Sequence, residues 1–142
     1  MRVTLSGEAL RIAGLFEKQA DVTVKDCLVD DEYDRVIIVV KAGEMAKAIG
    51  PGGETVRRVQ ERLGKRVKLV EDAATPEDFV ANALAPAAVY TVTVSETDDD
   101  RVASAEVAAE DRGAAIGSDG NNIDAARRLA KRHHDIDDIE LS

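Results

Sequence analysis

The segment Ile49-Gly50-Pro51-Gly52-Gly53-Glu54-Thr55-Val56 returns later in the chain as Ile116-Gly117-Ser118-Asp119-Gly120-Asn121-Asn122-Ile123. Both read I-G-x-x-G-x-x-[VI], and each lies between stretches with helical periodicity. Two glycines three apart allow a sharp turn and leave room for a ligand's backbone, because no Cβ stands in the way. The helix that starts just beyond such a turn directs free N–H groups and its positive dipole end outward, a setting suited to an anion such as phosphate. A single G-x-x-G carries little information. Two copies in matching surroundings point to a tandem architecture.

The surroundings do match. Placing Gly50 on Gly117 also places Val40 on Val107, Ile49 on Ile116 and Val56 on Ile123. In the first copy, residues 4–18 read as an amphipathic helix with Ser6 as N-cap and Ala9, Ile12, Ala13 and Phe16 inward. A strand over 22–29 follows, with Val22, Val24 and Leu28 on one face, then an acidic turn at Asp30-Asp31-Glu32. The β-branched run Val36–Val40 suits a strand buried on both faces. A short helix over 43–48 leads into the loop, Val56, Val59 and Leu63 mark the next helix, Gly64 ends it, and a strand runs from Arg66 to Glu71. The second copy opens at Thr75-Pro76-Glu77-Asp78 with an N-cap, a first-turn proline and first-turn acids. Phe79, Val80, Ala83 and Leu84 form its apolar face, and Pro86 stops it. Tyr90, Val92 and Val94 alternate along a strand, and Asp98–Asp100 form a solvated turn. A second strand covers 102–108 with Ala103, Ala105 and Val107 inward, and a helix over 110–115 enters the second loop. Ile123, Ala126 and Ala130 mark the following helix, and Ile136, Ile139 and Leu141 close the chain. Each unit reads α-β-β-α-loop-α-β, and the boundaries are 1–72 and 73–142.

The 142 residues are 44% apolar but only 3% aromatic, with no Trp, so the cores must be built from Val, Ile, Leu and Ala. The one cysteine, Cys27, excludes an intramolecular disulfide and reads as a small buried apolar residue. No run approaches the ~18 apolar residues of a membrane helix, and no signal peptide is recognisable, so a cytoplasmic protein without membrane partners is expected. The net charge of −9 argues against a nucleic-acid binder when taken alone. It is unevenly placed: residues 1–72 hold 13 basic and 13 acidic side chains, residues 73–142 hold 6 and 15. Within 36–70 there are 8 basic against 3 acidic residues, so the first glycine loop lies in a basic neighbourhood. The acid excess suits a protein kept soluble in concentrated salt.

A strand, a helix, a G-x-x-G loop, a helix and a strand resemble the KH RNA-binding module. The helix and strand placed ahead of that core resemble its prokaryotic, type II form. Asp111-x-Gly113-x-Ala115-Ile116-Gly117-x-x-Gly120-x-Asn122-Ile123-x-x-Ala126, preceded by Phe79-Val80-x-Asn82-x-Leu84-x-Pro86-Ala87, is similar to the second KH domain of the NusA family of transcription termination/antitermination factors. The resemblance covers nearly the whole chain and is to the short archaeal form with two tandem KH domains, the acidity suiting a halophilic archaeon. It implies an α+β fold, each unit a three-stranded sheet covered by helices. It also implies binding of single-stranded nascent RNA during transcription, with RNA polymerase as a further partner, by a monomer without cofactors.

On that resemblance Gly50, Gly53, Gly117 and Gly120 would allow close approach and Ile49 and Ile116 would line a groove. Lys47, Arg57 and Arg58 would supply counter-charge, and Pro51, Gly52, Ser118, Asp119 and Asn122 would complete the two RNA-binding loops. KH loops often hold Lys or Arg; here the first is neutral and the second carries an acid where a phosphate should pass, so the first is expected to dominate. The alternative is a protein-interaction adaptor whose acidic second half docks on RNA polymerase or the ribosome. An enzyme is not expected. The G-x-x-x-x-G-K-[ST] spacing is absent, and His133 and His134 have no cysteine near them to complete a zinc site.

The self-repulsion of the second half should weaken as salt shortens the reach of its charges to ~3 Å at 1 M ionic strength. The melting temperature is therefore expected to rise across a salt series. A steady fall as salt is added would contradict this.

Overall fold

The computed structural model describes residues 5–142. The chain divides into two compact units between Asp72 and Ala73. In the first, α1 (Gly7–Ala20), β1 (Val24–Asp30), β2 (Arg35–Val40), α2 (Met45–Ile49), α3 (Glu54–Leu63) and β3 (Arg66–Glu71) follow one another, with one tight turn of 3-10 helix over Pro51–Gly53. In the second, α4 (Pro76–Ala83), β4 (Val89–Glu96), β5 (Arg101–Val107), α5 (Arg112–Ile116), α6 (Asn121–His134) and β6 (Asp138–Leu141) repeat the order, with the matching turn over Ser118–Gly120. Each unit holds a three-stranded sheet, β1-β2-β3 and β4-β5-β6, whose outer pairs are antiparallel and parallel respectively.

Local chemistry sets the helix ends. The Ser6 side chain accepts from Ala9 N and the Thr75 side chain from Asp78 N, as N-caps do. Gly64 closes α3 in the left-handed conformation at φ 67°. The predicted start of α1 at residue 4 lies outside the described residues. One face of the first sheet is covered by α1, α2 and α3. Ile12 and Phe16 of α1, Ala48 of α2 and Val59 of α3 pack with Val36, Ile38 and Val40 into one core. Ile37 and Val39, on the opposite face of β2, are buried as well, as the unbroken β-branched run implies. The second unit is built from smaller residues, with Ala103, Ala105, Ala115, Ala126 and Ala130 fully buried beside Phe79, Leu129 and Ile139.

Three expectations need correction. Leu28 does not share a face with Val24. A register shift between Val24 and Asp26 turns Cys27 and Val29 into the core and pairs Leu28 with Ile37 on the other face. The same irregularity between Val89 and Thr91 leaves Val89, rather than Tyr90, in line with the half-buried Val92 and Val94, and Tyr90 is 65% exposed. Asp30 belongs to β1 and not to the acidic turn. It stands opposite Arg35 and forms a buried ion pair with it, Nε to Oδ2 at 2.8 Å. Arg35 also lies over the Tyr33 ring at 4.9 Å from its centroid.

Lys68 faces Ile37 across the parallel pair. Burial, and then the Arg35 charge, lower its pKa from 10.5 to about 8. The unfolded chain therefore binds more protons than the folded one between about 8 and 10.5, so this group's penalty is full below pH 8 and fades as pH rises through that window. Cys27 acts oppositely: burial pushes its thiol from 9.0 up to about 12, so it removes stability as pH climbs between those values. Lys68→Met is expected to raise the urea midpoint at pH 7 and to lose that advantage by pH 10.5, compared with wild type at each pH. A difference independent of pH would refute the assignment.

Candidate nucleic-acid interface

The two glycine loops share one backbone. Gly50 and Gly117 stand at φ/ψ of 78/168° and 80/172°, Gly52 and Asp119 at 60/21° and 54/25°, and Gly53 and Gly120 at 77/13° and 78/15°. Three left-sided φ values within four residues end one helix and start the next almost at once. The closing hydrogen bonds also repeat, Gly53 N to Gly50 O and Gly120 N to Gly117 O, each at 3.1 Å. Neither α3 nor α6 has a side-chain N-cap.

The glycines divide into two kinds. A Cβ on Gly50 would lie 2.8 Å from Thr55 N, and one on Gly117 would lie 2.7 Å from Asn122 N. The first glycine of each loop is therefore required internally, where the loop presses on the first turn of the following helix. Gly52, Gly53 and Gly120 have nothing within 4 Å of a built Cβ. These are the positions that leave an open surface for a ligand's backbone. Pro51, Gly52, Ser118 and Asp119 are exposed around them. Aspartate tolerates the left-handed region better than most residues, so Asp119 can hold the conformation that Gly52 holds.

Ile49 and Ile116, each just ahead of its loop, are 40% and 38% exposed. Two matched apolar side chains at the surface beside matched loops can offer the flank of a nucleobase a dry contact. Asn122 is placed differently from the other candidates. It is buried, and its Nδ2 donates to Leu84 O and Ala115 O, both at 3.1 Å. It fastens α6 to the ends of α4 and α5. The equivalent position in the first unit is Thr55, which the sequence reading passed over although the repeat register points to it.

Counter-charge is not equally available. Lys47 Nζ is 3.2 Å from Asp21 Oδ2, and Arg58 is paired with Glu54 one turn away. Arg57 is exposed and has no ion-pair partner among the described residues. It borders an open concavity of about 360 Å³ whose lining mixes Lys65 and Arg66 with Asp34 and Glu61, and Lys65 Nζ lies 3.9 Å from Asp31 Oδ1, so among the described residues Arg57 is the cation nearest the loop that is left without a carboxylate. In the second unit the residue matching Arg57 is Asp124, and the one matching Lys47 is Ala114. A further matched pair escaped the sequence reading. Glu44 Oε1 accepts from Thr23 N at 2.7 Å, and Asp111 Oδ2 accepts from Ala88 N at 2.8 Å. Each acid ties the approach to the short helix to the chain entering the first strand, and the shared register of the repeats was the signal for it.

Comparisons with known proteins agree with this architecture. A KH domain family matches residues 11–75, and the family described as the NusA-like second KH domain matches 76–142. Proteins named probable transcription termination protein NusA from Halobacterium salinarum and Halococcus morrhuae are 58% and 60% identical over the full length of both chains. The Methanocaldococcus jannaschii protein of that name is 36% identical over 99% of this chain and 75% of its own. The Halobacterium and Halococcus relatives agree with the halophilic origin that the acidic composition suggests. A solved structure, described as the crystal structure of APE1850, superposes with a TM-score of 0.84 at 30% identity, covering 97% of this chain and all of that one. Two KH units with matched loops, and full-length identity to these relatives, make this chain a member of the NusA family, in its form with two tandem KH domains.

Proposed function

We propose that this protein is an RNA-binding factor of transcription termination or antitermination, and that it holds single-stranded nascent RNA mainly through the loop Gly50–Gly53. The observation that carries the reading is the pairing of one backbone with two chemistries. Both loops hold the same left-handed turns over open space. Only the first has no charged side chain in the loop, and one helical turn on it has Arg57, which has no ion-pair partner among the described residues. Phosphates supply most of the affinity in such complexes, so a carboxylate at the point of closest approach counts directly against binding. KH loops clamp about four nucleotides, and with so few aromatics here stacking contributes little. Ile49, Pro51 and the open glycines would meet the strand, while Lys47 and Arg58 would have to exchange their present carboxylate partners for phosphate. RNA polymerase is the assembly on which a factor of this family would act, in the cytoplasm, and no catalytic step belongs to this reading.

The matched backbones supply a clean test. Asp119 shows that aspartate fits the geometry of Gly52, so Gly52→Asp changes charge with little strain. With a carboxylate near 4 Å from a phosphate, repulsion of ~1–4 kcal/mol is expected depending on local dielectric. Gly52→Asp should therefore lower single-stranded RNA affinity about tenfold or more and flatten its salt dependence. Asp119→Gly should leave affinity unchanged or raise it. A greater loss from Asp119→Gly than from Gly52→Asp, with both variants folded by circular dichroism, would overturn the ranking of the loops. If neither the Gly52→Asp nor the Gly53→Asp variant loses affinity, an adaptor that docks on polymerase or the ribosome becomes the better reading.

Gly50→Ala should act through the fold instead. Its Cβ would meet the Thr55 backbone as well as an unfavourable φ, whereas Gly53→Ala meets only the φ. The melting temperature is expected to fall further for Gly50→Ala, and equal melting temperatures would contradict the division of the glycines.

A further inference from the structure

The strands β1 and β4 occupy the same place in the repeat, each at one border of its sheet, with no further strand beside it among the described residues. A border strand presents unpaired N–H and C=O groups, and proteins usually blunt it with lysine, proline, or charges turned inward. β1 follows that rule: its sequence VKDCLVD carries an exposed Lys25 and the buried acids Asp26 and Asp30. β4 does not. Its sequence VYTVTVSE holds no lysine, no proline and no charge before Glu96, and its residues favour extended structure. Its one irregularity lies at the start, and from Thr91 to Glu96 the pairing with β5 runs without a break.

The surroundings of this border say what it would accept. Tyr90, 65% exposed, has the greatest exposure of the large apolar side chains among the described residues. It lines a concavity of about 320 Å³ with Val92, and the first turn of α4 brings Glu77 and Asp78 to the same wall. At the other end of β4 the chain passes Glu96, which is paired with Arg101 at 3.1 Å, and reaches Asp98–Asp100. An extended segment lying along β4 would therefore find backbone partners in the middle, a tyrosine ring near one end and carboxylates at both ends.

We propose that the outer border of β4 is a docking site for a basic, extended segment of a partner protein, which adds to the sheet as a further strand. Main-chain hydrogen bonds would supply affinity, while Tyr90 and the flanking acids would select the segment. The site uses none of the residues assigned to RNA.

The test uses the full chain and a fluorescent peptide of alternating lysine and valine, with a glutamate–valine peptide as control. The lysine peptide should bind, the glutamate peptide should not, and amide exchange should slow between Thr91 and Ser95 on binding. Tyr90→Lys combined with Thr93→Lys, both at exposed positions, should weaken the lysine peptide at least about tenfold, whereas Gly52→Asp should leave it unchanged. The proposal is overturned if no peptide binds or if the double variant binds as well as wild type. It is equally overturned if exchange slows evenly over the acidic surface, or if β4 pairs with a second copy of this chain in place of the peptide. Because Gly52→Asp is read in the same assay, failure of the RNA reading and failure of this one are separable.

Discussion

The architecture of both units rests on a steric constraint at Gly50 and Gly117. At each, the space where a Cβ would stand is taken by the first turn of the following helix, at 2.7–2.8 Å from its backbone nitrogen. Only a glycine lets the chain end one helix and begin the next with so little intervening length. The helices α2 and α5 have five residues each, far too short to persist alone. They are held at one end by that turn and at the other by an acid, Glu44 or Asp111, that accepts a backbone N–H from the chain entering the first strand. A fully buried alanine, Ala48 or Ala115, seats each against its sheet. The exposed isoleucine and the open glycines beside it are consequences of this clamp.

Once the backbone is set this way, side chains can diverge without disturbing it. The first unit packs Phe16, Ile12 and β-branched residues around its sheet and leaves its loop neutral. The second packs mainly alanines and carries Asp119 in the loop and Asp124 beyond it, with the same torsion angles to within a few degrees. Even the position that follows the loop has been reassigned, from Thr55 to an Asn122 whose amide joins three helices. One fold thus carries a neutral loop and an acidic one. The acid excess, which on composition alone argues against an RNA binder, is confined to the half whose loop carries Asp119.

Much of this was legible in the residues. The duplicated loop, the N-caps at Ser6 and Thr75 and the stop at Gly64 are local codes, each read over a few neighbouring positions. Alternation and helical spacing located all the elements. The errors came where one inserted residue reverses the alternation: the irregularities near Lys25 and Tyr90 exchanged faces for Leu28 and Tyr90. Asp30 looked like one acid among three in a turn, because its partner Arg35 becomes visible only when the strands are paired.

The sequence by itself determined the tandem division, the order of elements, the positions of the loops and the uneven charge, since these depend on torsional preference and on composition along the chain. Tertiary structure decided which glycine is needed for packing and which for open surface, which cations already have carboxylate partners, and which border strand is left unguarded. Those distinctions depend on placement in three dimensions, whether the partners are near neighbours such as Gly50 and Thr55 or distant in the chain such as Lys47 and Asp21. A distance of under 3 Å between a loop and a helix, or the burial of one acid among several, is set by torsion angles and strand pairing that residue types alone do not specify.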